Sequence, residues 1–199
     1  MNRFFAGFLL SAVMTVPAVA ALKPNDKAPD FSAKASLDGK EFSYTLKSSL
    51  KNGPVVVYFY PSAFTGGCNI QAHTFAVNKE KFDAAGASII GVSRDSIARL
   101  NAFSADPQYC AGKISVASDP DGAIATSYGL TKLNVKPGMK DSRGEEIDHE
   151  LTERTTFVVK PDGTIAATFS SLEDKISPAE HVEKALAAVQ QLAAGKSKN

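Results

Sequence analysis

The chain has 199 residues, 44% of them hydrophobic and 22% charged, with no tryptophan. This is ordinary globular composition at a length suited to one domain with one core, and it excludes a repeat array, a disulfide-dense scaffold and a disordered chain. Lys and Arg number 22 against 21 Asp and Glu, a formal net charge of +1, so no long-range field recruits nucleic acid or an anionic membrane, and small neutral partners are expected.

Arg3 precedes an apolar run from Phe4 to Val16, then a helix-breaking Pro17, then Ala18-Val19-Ala20 with small residues at alternate positions. This pattern predicts a secretory leader, residues 1–20, cut after Ala20, and leaves residues 21–199 as the mature domain. A run of about 13 residues is too short to cross a hydrocarbon core of roughly 30 Å as a helix, though a retained N-terminal anchor is the alternative. Without Arg3 the mature chain is formally neutral. It is expected to be exported, to the periplasm, where oxidising conditions bear on Cys68 and Cys110, its only cysteines.

Asp38-Gly39 between Phe31-to-Leu37 and Lys40-to-Tyr44 predicts a hairpin. After Asn52-Gly53-Pro54, the unbroken run Val55 to Tyr60 predicts a central strand buried on both faces. Pro61 to Gly67 reads as a loop, and Cys68 to Ala84 as a helix through Ile70, Phe75 and Phe82. Ser88 to Ser93 is a strand and Ser96 to Ala105 a helix with Ile97, Leu100 and Phe103 on one face. Ile114 to Ala117 is a third strand, ended by Asp119-Pro120-Asp121-Gly122 ahead of a short helix over Ala123 to Tyr128.

From Leu130 to Asp148 the pattern fails, and mixed basic and acidic residues read as a solvated loop rather than a partner-docking surface. Thr155 to Val159 and Thr164 to Phe169 flank Pro161-Asp162-Gly163 as a second hairpin. The last helix carries Ser177 as N-cap, Pro178 at the first position, Glu180 completing a capping box, and Val182, Leu186, Val189 and Leu192 on one face. This order predicts an α/β, thioredoxin-like fold: a central mixed sheet flanked by helices, with an N-terminal β-hairpin.

The chemistry concentrates in Pro61-Ser62-Ala63-Phe64-Thr65-Gly66-Gly67-Cys68, a loop that delivers a thiol to a helix start. A helix N-terminus carries about half a positive charge and free N–H groups, which favours thiolate, the nucleophilic form. Gly66 and Gly67 leave those N–H groups open to a small substrate, the Thr65 hydroxyl can bond sulfur or substrate, and Pro61 can wall off water. Read without further context, Cys68 is a buried small hydrophobe, Thr65 a helix cap, and Arg154 a surface partner of the nearby acids.

Pro61-x-x-x-Thr65-x-x-Cys68 after an apolar strand resembles the active-site signature of the peroxiredoxins, the alkyl hydroperoxide reductase and thiol-specific antioxidant superfamily. The likeness runs over roughly residues 23 to 192, through Asp26-x-Ala28-Pro29-Asp30-Phe31, Ile90-Gly91-Val92-Ser93 and Glu153-Arg154-Thr155-Thr156-Phe157, and is strongest for the bacterioferritin-comigratory (Q) type. The resemblance implies a thiol peroxidase, a hydroperoxide as substrate, and no metal or organic cofactor. Cys68 would attack the peroxide and become a sulfenic acid. Arg154 would stabilise thiolate and leaving oxygen, Thr65 would hold sulfur and peroxide, Pro61 would shield the site, and the Gly67 and Cys68 N–H groups would complete the pocket.

In that type a resolving cysteine often follows five residues after the first, and here His73 stands there. Resolution then falls to Cys110, to another molecule, or to no second protein cysteine. Some relatives resolve from the region of Cys110, so the resemblance assigns it as the resolving thiol, giving an intramolecular disulfide. A permanent structural bridge, worth about 3 to 5 kcal/mol, is the alternative. Turnover would need an exported thioredoxin-like or small-thiol reductant. With no cysteine near the C-terminus for an intersubunit bridge, a monomer is expected.

Two other functions compete: a thioredoxin-like thiol–disulfide oxidoreductase, disfavoured because no Cys-x-x-Cys is present, and a redox-inert binding domain with a Cys68–Cys110 bridge. His73, a turn and a half past Cys68, is assigned to packing or surface, and His149 and His181 have no metal-ligand spacing.

Overall fold

A computed structural model describes residues 20–196, so the expected leader lies outside the described residues except for Ala20. The strands are β1 (Ser32–Leu37), β2 (Lys40–Thr45), β3 (Val55–Phe59), β4 (Ser88–Ser93), β5 (Ser115–Ser118), β6 (Lys132–Leu133), β7 (Leu151–Thr152), β8 (Thr155–Val159) and β9 (Ile165–Ser170). The helices are α1 (Leu46–Leu50), α2 (Gly66–Ala84), α3 (Ile97–Ala105), α4 (Ala123–Ser127), α5 (Ser171–Asp174) and α6 (Pro178–Lys196).

Seven strands form one sheet in the order β2-β1-β5-β4-β3-β8-β9. The β3–β4 and β4–β5 pairs are parallel and the others antiparallel, which makes the sheet mixed, as expected. The expected β-hairpin forms with Leu37 opposite Lys40 around Asp38-Gly39. Helix α1 and the four-residue α5 were not foreseen, being too short to show a 3.6-residue period.

The apolar run of β3 serves two cores because strand side chains alternate. Val56 and Tyr58 join Phe75 and Phe82 of α2, Leu100 and Phe103 of α3, and Val182 and Val189 of α6 on one face. Val55, Val57 and Phe59 join Leu46, Leu50, Tyr128 and Phe157 on the other. Burying each such side chain is worth roughly 1.5 to 3 kcal/mol. Tyr58 lies opposite Gly91 on β4, and a Cβ at Gly91 would sit 2.5 Å from the Tyr58 ring, so the glycine is there to let the ring lie across the strand.

The capping box of α6 forms as read: the Ser177 N–H donates to Glu180 at 2.7 Å and the Glu180 N–H to the Ser177 hydroxyl at 3.3 Å. Two expectations for α2 are corrected. Helix α2 begins at Gly66 rather than Cys68, because nothing in Gly66-Gly67 blocks helical backbone, and Ile70 is exposed rather than packed. The second hairpin carries a register shift between Val158 and Val159.

The segment from Leu130 to Asp148 is also corrected. It is not a freely solvated loop: Leu130, Asp141 and Ile147 are buried, β6 and β7 pair at its base, and its middle docks onto the loop before α2. Asp141 and Glu145 there pair with Arg99, more than 40 residues away in sequence, whereas Lys136, Lys140, Glu146 and Asp148 are exposed as read.

Candidate active site

β3 ends at Phe59 and α2 begins at Gly66, so residues 60–65 carry the chain from the sheet to a helix N-terminus. Cys68 lies in the first turn of α2, buried at 2% exposure. The first intrahelical bond is Asn69 N–H to the Thr65 carbonyl at 2.8 Å, so the N–H groups of Gly66, Gly67 and Cys68 have no partner within the helix.

Arg154, the residue before β8, reaches across so that its Nη2 lies 3.3 Å from the Cys68 Sγ. Its other terminal nitrogen donates to Gln71 Oε1. Arg154 makes no ion pair with a carboxylate among the described residues, contrary to its reading as a surface partner of the nearby acids. Gly67 makes room for this contact. A Cβ there would meet Arg154 Nη2 at 3.1 Å and Pro178 Cγ at 3.2 Å.

Thr65 stands at the N-cap position with extended backbone, but its hydroxyl makes no cap bond and donates to the Ser62 carbonyl at 2.8 Å. Its lone pairs remain available as acceptors. Pro61 is half-buried at the end of β3. Phe64 holds φ at +61°, a left-handed conformation uncommon for an aromatic residue, and such strain persists only where surroundings enforce it.

Those surroundings are a charged clasp. Buried Asp95, just past β4, accepts from the Ala63 N–H at 2.7 Å, the Ser62 hydroxyl at 2.9 Å and the Ser93 hydroxyl at 2.7 Å. Arg99 of α3 pairs with Asp95 at 2.9 Å and Asp141 at 2.7 Å, and donates to the Ala63 carbonyl at 3.0 Å. Ser142 donates through both N–H and hydroxyl to the Phe64 carbonyl, and the Arg143 guanidinium lies 3.4 Å from the Phe64 ring centroid. His149 Nε2 sits 2.9 Å from Asp95. Burial works against ionising Asp95, but hydrogen bonds from His149, Ser93 and Ala63 outweigh it and hold the carboxyl below its ordinary range. Burial likewise opposes charging His149, yet Asp95 holds its pKa above the ordinary value.

Cys110 lies in the turns after α3, fully buried in the same cluster as Cys68, and both are free thiols. Burial, and then Asp106, push the Cys110 thiol far up. Tyr58 belongs to that cluster too: burial, then Cys110 and Cys68, raise its phenol well above the ordinary value. His73 is exposed, with Nδ1 3.1 Å from the Gln108 carbonyl, which agrees with a surface role.

Sequence reasoning did not find Gln71, His149 or His181. Gln71 was signalled: it lies three residues past Cys68, on the same helix face, as a polar residue among apolar ones. The histidines were assessed only as metal ligands. Among the described residues no cluster of His, Cys, Asp and Glu could hold a metal ion, and no helix is long and apolar enough to cross a membrane.

The AhpC/TSA family profile matches residues 24–168. Peroxiredoxin Bcp of Xanthomonas campestris pv. campestris is 31% identical over 68% of this chain and 75% of its own length. The crystal structure of peroxidoxin BcpB from Mycobacterium tuberculosis superposes with a TM-score of 0.68 at 27% identity, covering 85% of this chain and 97% of that one. The bacterioferritin comigratory protein of X. campestris, solved in complexes bearing on alkyl peroxide reduction, superposes with a TM-score of 0.62 at 29% identity, over 80% and 91% of the two chains.

Proposed function

This chain belongs to the AhpC/TSA family, as a peroxiredoxin of the bacterioferritin-comigratory or Q type and a thiol-dependent peroxidase, and from that premise we propose that Cys68 attacks the hydroperoxide and Cys110 resolves the product. The observation that carries this reading is the Arg154 guanidinium 3.3 Å from the Cys68 sulfur, at a helix N-terminus with unpaired N–H groups. A fixed cation and aligned backbone donors favour thiolate and stabilise charge developing on oxygen.

The thiolate attacks the terminal peroxide oxygen. An S–O bond forms, the O–O bond breaks, and the departing oxygen takes a proton to leave as water or an alcohol. The Gly67 and Cys68 N–H groups and Arg154 face the developing charge, Thr65 offers an acceptor for the peroxide proton, and Pro61 limits water. The alkyl peroxide reduction of the X. campestris relative makes organic hydroperoxides, as well as hydrogen peroxide, candidate substrates here.

In resolution the Cys110 thiol attacks the sulfenic sulfur, forming a disulfide and releasing water. Cys110 is buried and held as a neutral thiol, so this step requires the turns around it and the first turn of α2 to open. An exported dithiol or small thiol then supplies the two electrons that restore both thiols. Export through a cleaved leader and a monomeric mature domain of residues 21–199 complete the proposal.

One equivalent of hydrogen peroxide added to the reduced mature protein tests it. Two thiols should disappear with a mass loss of two hydrogen atoms; Cys68→Ser should abolish the reaction and Cys110→Ser should trap an oxygen adduct on Cys68. Slow thiol loss unaffected by Cys68→Ser would overturn the assignment.

A further inference from the structure

Behind Arg154 runs a line of polar side chains that the reaction chemistry does not use. Gln71 accepts from Arg154 through Oε1, and its Nε2 donates to Thr156 Oγ1 at 3.4 Å. Thr156 Oγ1 lies 3.0 Å from His181 Nδ1, and His181 Nε2 lies 2.9 Å from Ser171 Oγ. Ser171 Oγ donates to the Ile176 carbonyl at 3.2 Å. Gln71, Thr156 and His181 are fully buried, in surroundings where an unmade hydrogen bond costs most.

The two ends fix every proton between them. Arg154 can only donate, so Gln71 must turn its oxygen toward it and its amide N–H to Thr156. The Ile176 carbonyl can only accept, so the Ser171 proton points there and His181 Nε2 must carry the hydrogen bonded to Ser171. In the neutral ring His181 Nδ1 is then bare and takes the Thr156 hydroxyl proton. The relay works in one sense only, with His181 as the neutral Nε2–H tautomer. It also returns to its origin, because the Ser171 N–H donates to the Arg154 carbonyl at 3.1 Å.

We propose that His181 and Thr156 are positioning residues that, through this one-way relay, hold the Arg154 guanidinium on the Cys68 sulfur. The inference rests on the assignment of Cys68 and Arg154 above and names what fixes their geometry. A protonated His181 would put a second donor on Thr156, whose oxygen could accept it only by leaving its own buried hydroxyl proton without a partner, so the polarity of the line would be lost at its centre. The charged groups facing His181 are Arg154 from the start of β8, Asp174 from α5 and Glu180 from its own helix. Burial first, and then the Arg154 charge, hold its pKa down to about 4, consistent with the neutral form the relay requires.

Alkylation of Cys68 by iodoacetamide, in the Cys110→Ser protein and across about pH 4 to 9, tests this without using peroxide. Thr156→Val keeps the side-chain shape but can neither accept from Gln71 nor donate to His181. It should slow alkylation about tenfold at neutral pH, the effect of about one unit in the thiolate equilibrium, and the rate should recover at alkaline pH. Thr156→Ser should restore the parent profile. His181→Phe should behave like Thr156→Val, and His181→Asn, whose oxygen can stand in for Nδ1, should resemble the parent. If His181→Phe does not fold, the Thr156 pair decides alone. A Thr156→Val profile that overlays the parent, or one slowed equally at every pH, overturns the relay. A parent that alkylates as expected but does not react with peroxide would instead overturn the peroxidase assignment of Cys68.

Discussion

On the loop side of Cys68, Asp95, Arg99, Asp141 and His149 hold residues 62–64 by charge, whereas on the strand side Gln71, Thr156, His181 and Ser171 hold Arg154 through uncharged groups. The difference follows from what each side must place. The loop presents backbone N–H and carbonyl groups in a strained path, and charge-assisted bonds to Asp95 and Arg99 are strong enough to enforce it. Arg154 must keep its cation for the sulfur, and a carboxylate beside it would compete for that charge. A neutral acceptor such as Gln71 orients the guanidinium without neutralising it.

The largest effect expected is on the charged side. Asp95→Ala would leave Arg99, His149 and the Ala63 N–H without their shared partner, and breaking such a buried pair typically costs about 3 to 5 kcal/mol. Urea denaturation should show a loss of that size, and a loss below about 1 kcal/mol would mean the clasp is ornamental.

The two histidines should then give pH dependences of opposite sign. His149 has its pKa raised above the ordinary 6.5, so its contribution is full below that value and fades as pH rises through the folded-state pKa. His181 has its pKa lowered to about 4, so its contribution is full above 6.5 and fades as pH falls toward about 4, by on the order of 3 kcal/mol. Stability measured against pH should therefore lose its alkaline decline in His149→Gln and keep its acid decline. Loss of the acid decline in that variant would show the two sites to be coupled rather than separate.

Gly67→Ala should act on the strand side with a smaller cost, about 1 to 2 kcal/mol, by pressing a methyl group against Arg154 and Pro178. Peroxide consumption should fall more than stability, because the displaced group is the one on the sulfur. The smallest effect is expected for Arg143→Gln, which removes a cation from the Phe64 face and should cost about 1 kcal/mol or less in denaturation.

The placement of Cys68, Thr65 and Pro61 was legible because a local pattern, strand then loop then helix start, carries them, whereas Arg154, 86 residues from Cys68, was singled out only by the family resemblance. Gly67 was legible as a helix-start position without a side chain, though not as the gap that admits Arg154. The clasp was not legible: Asp95 and His149 are 54 residues apart, and Asp141 and Arg99 are 42 apart, so nothing local distinguishes them from solvated charges. His181 shows in sequence only as a polar residue beside Val182 in an amphipathic helix, and its role exists only through Thr156 on another element. In the fold, the β3 run and the α6 capping box declared themselves, whereas α1 was too short to do so.

The most direct test of the account is the rate at which reduced Cys68 reacts with hydrogen peroxide in Arg154→Gln protein, followed by stopped flow beside the parent. The account predicts a loss of about 100-fold or more, the scale of removing one well-placed donor to a developing charge. A rate within about threefold of the parent, an effect below 1 kcal/mol, would show that the guanidinium at the sulfur does not drive the chemistry.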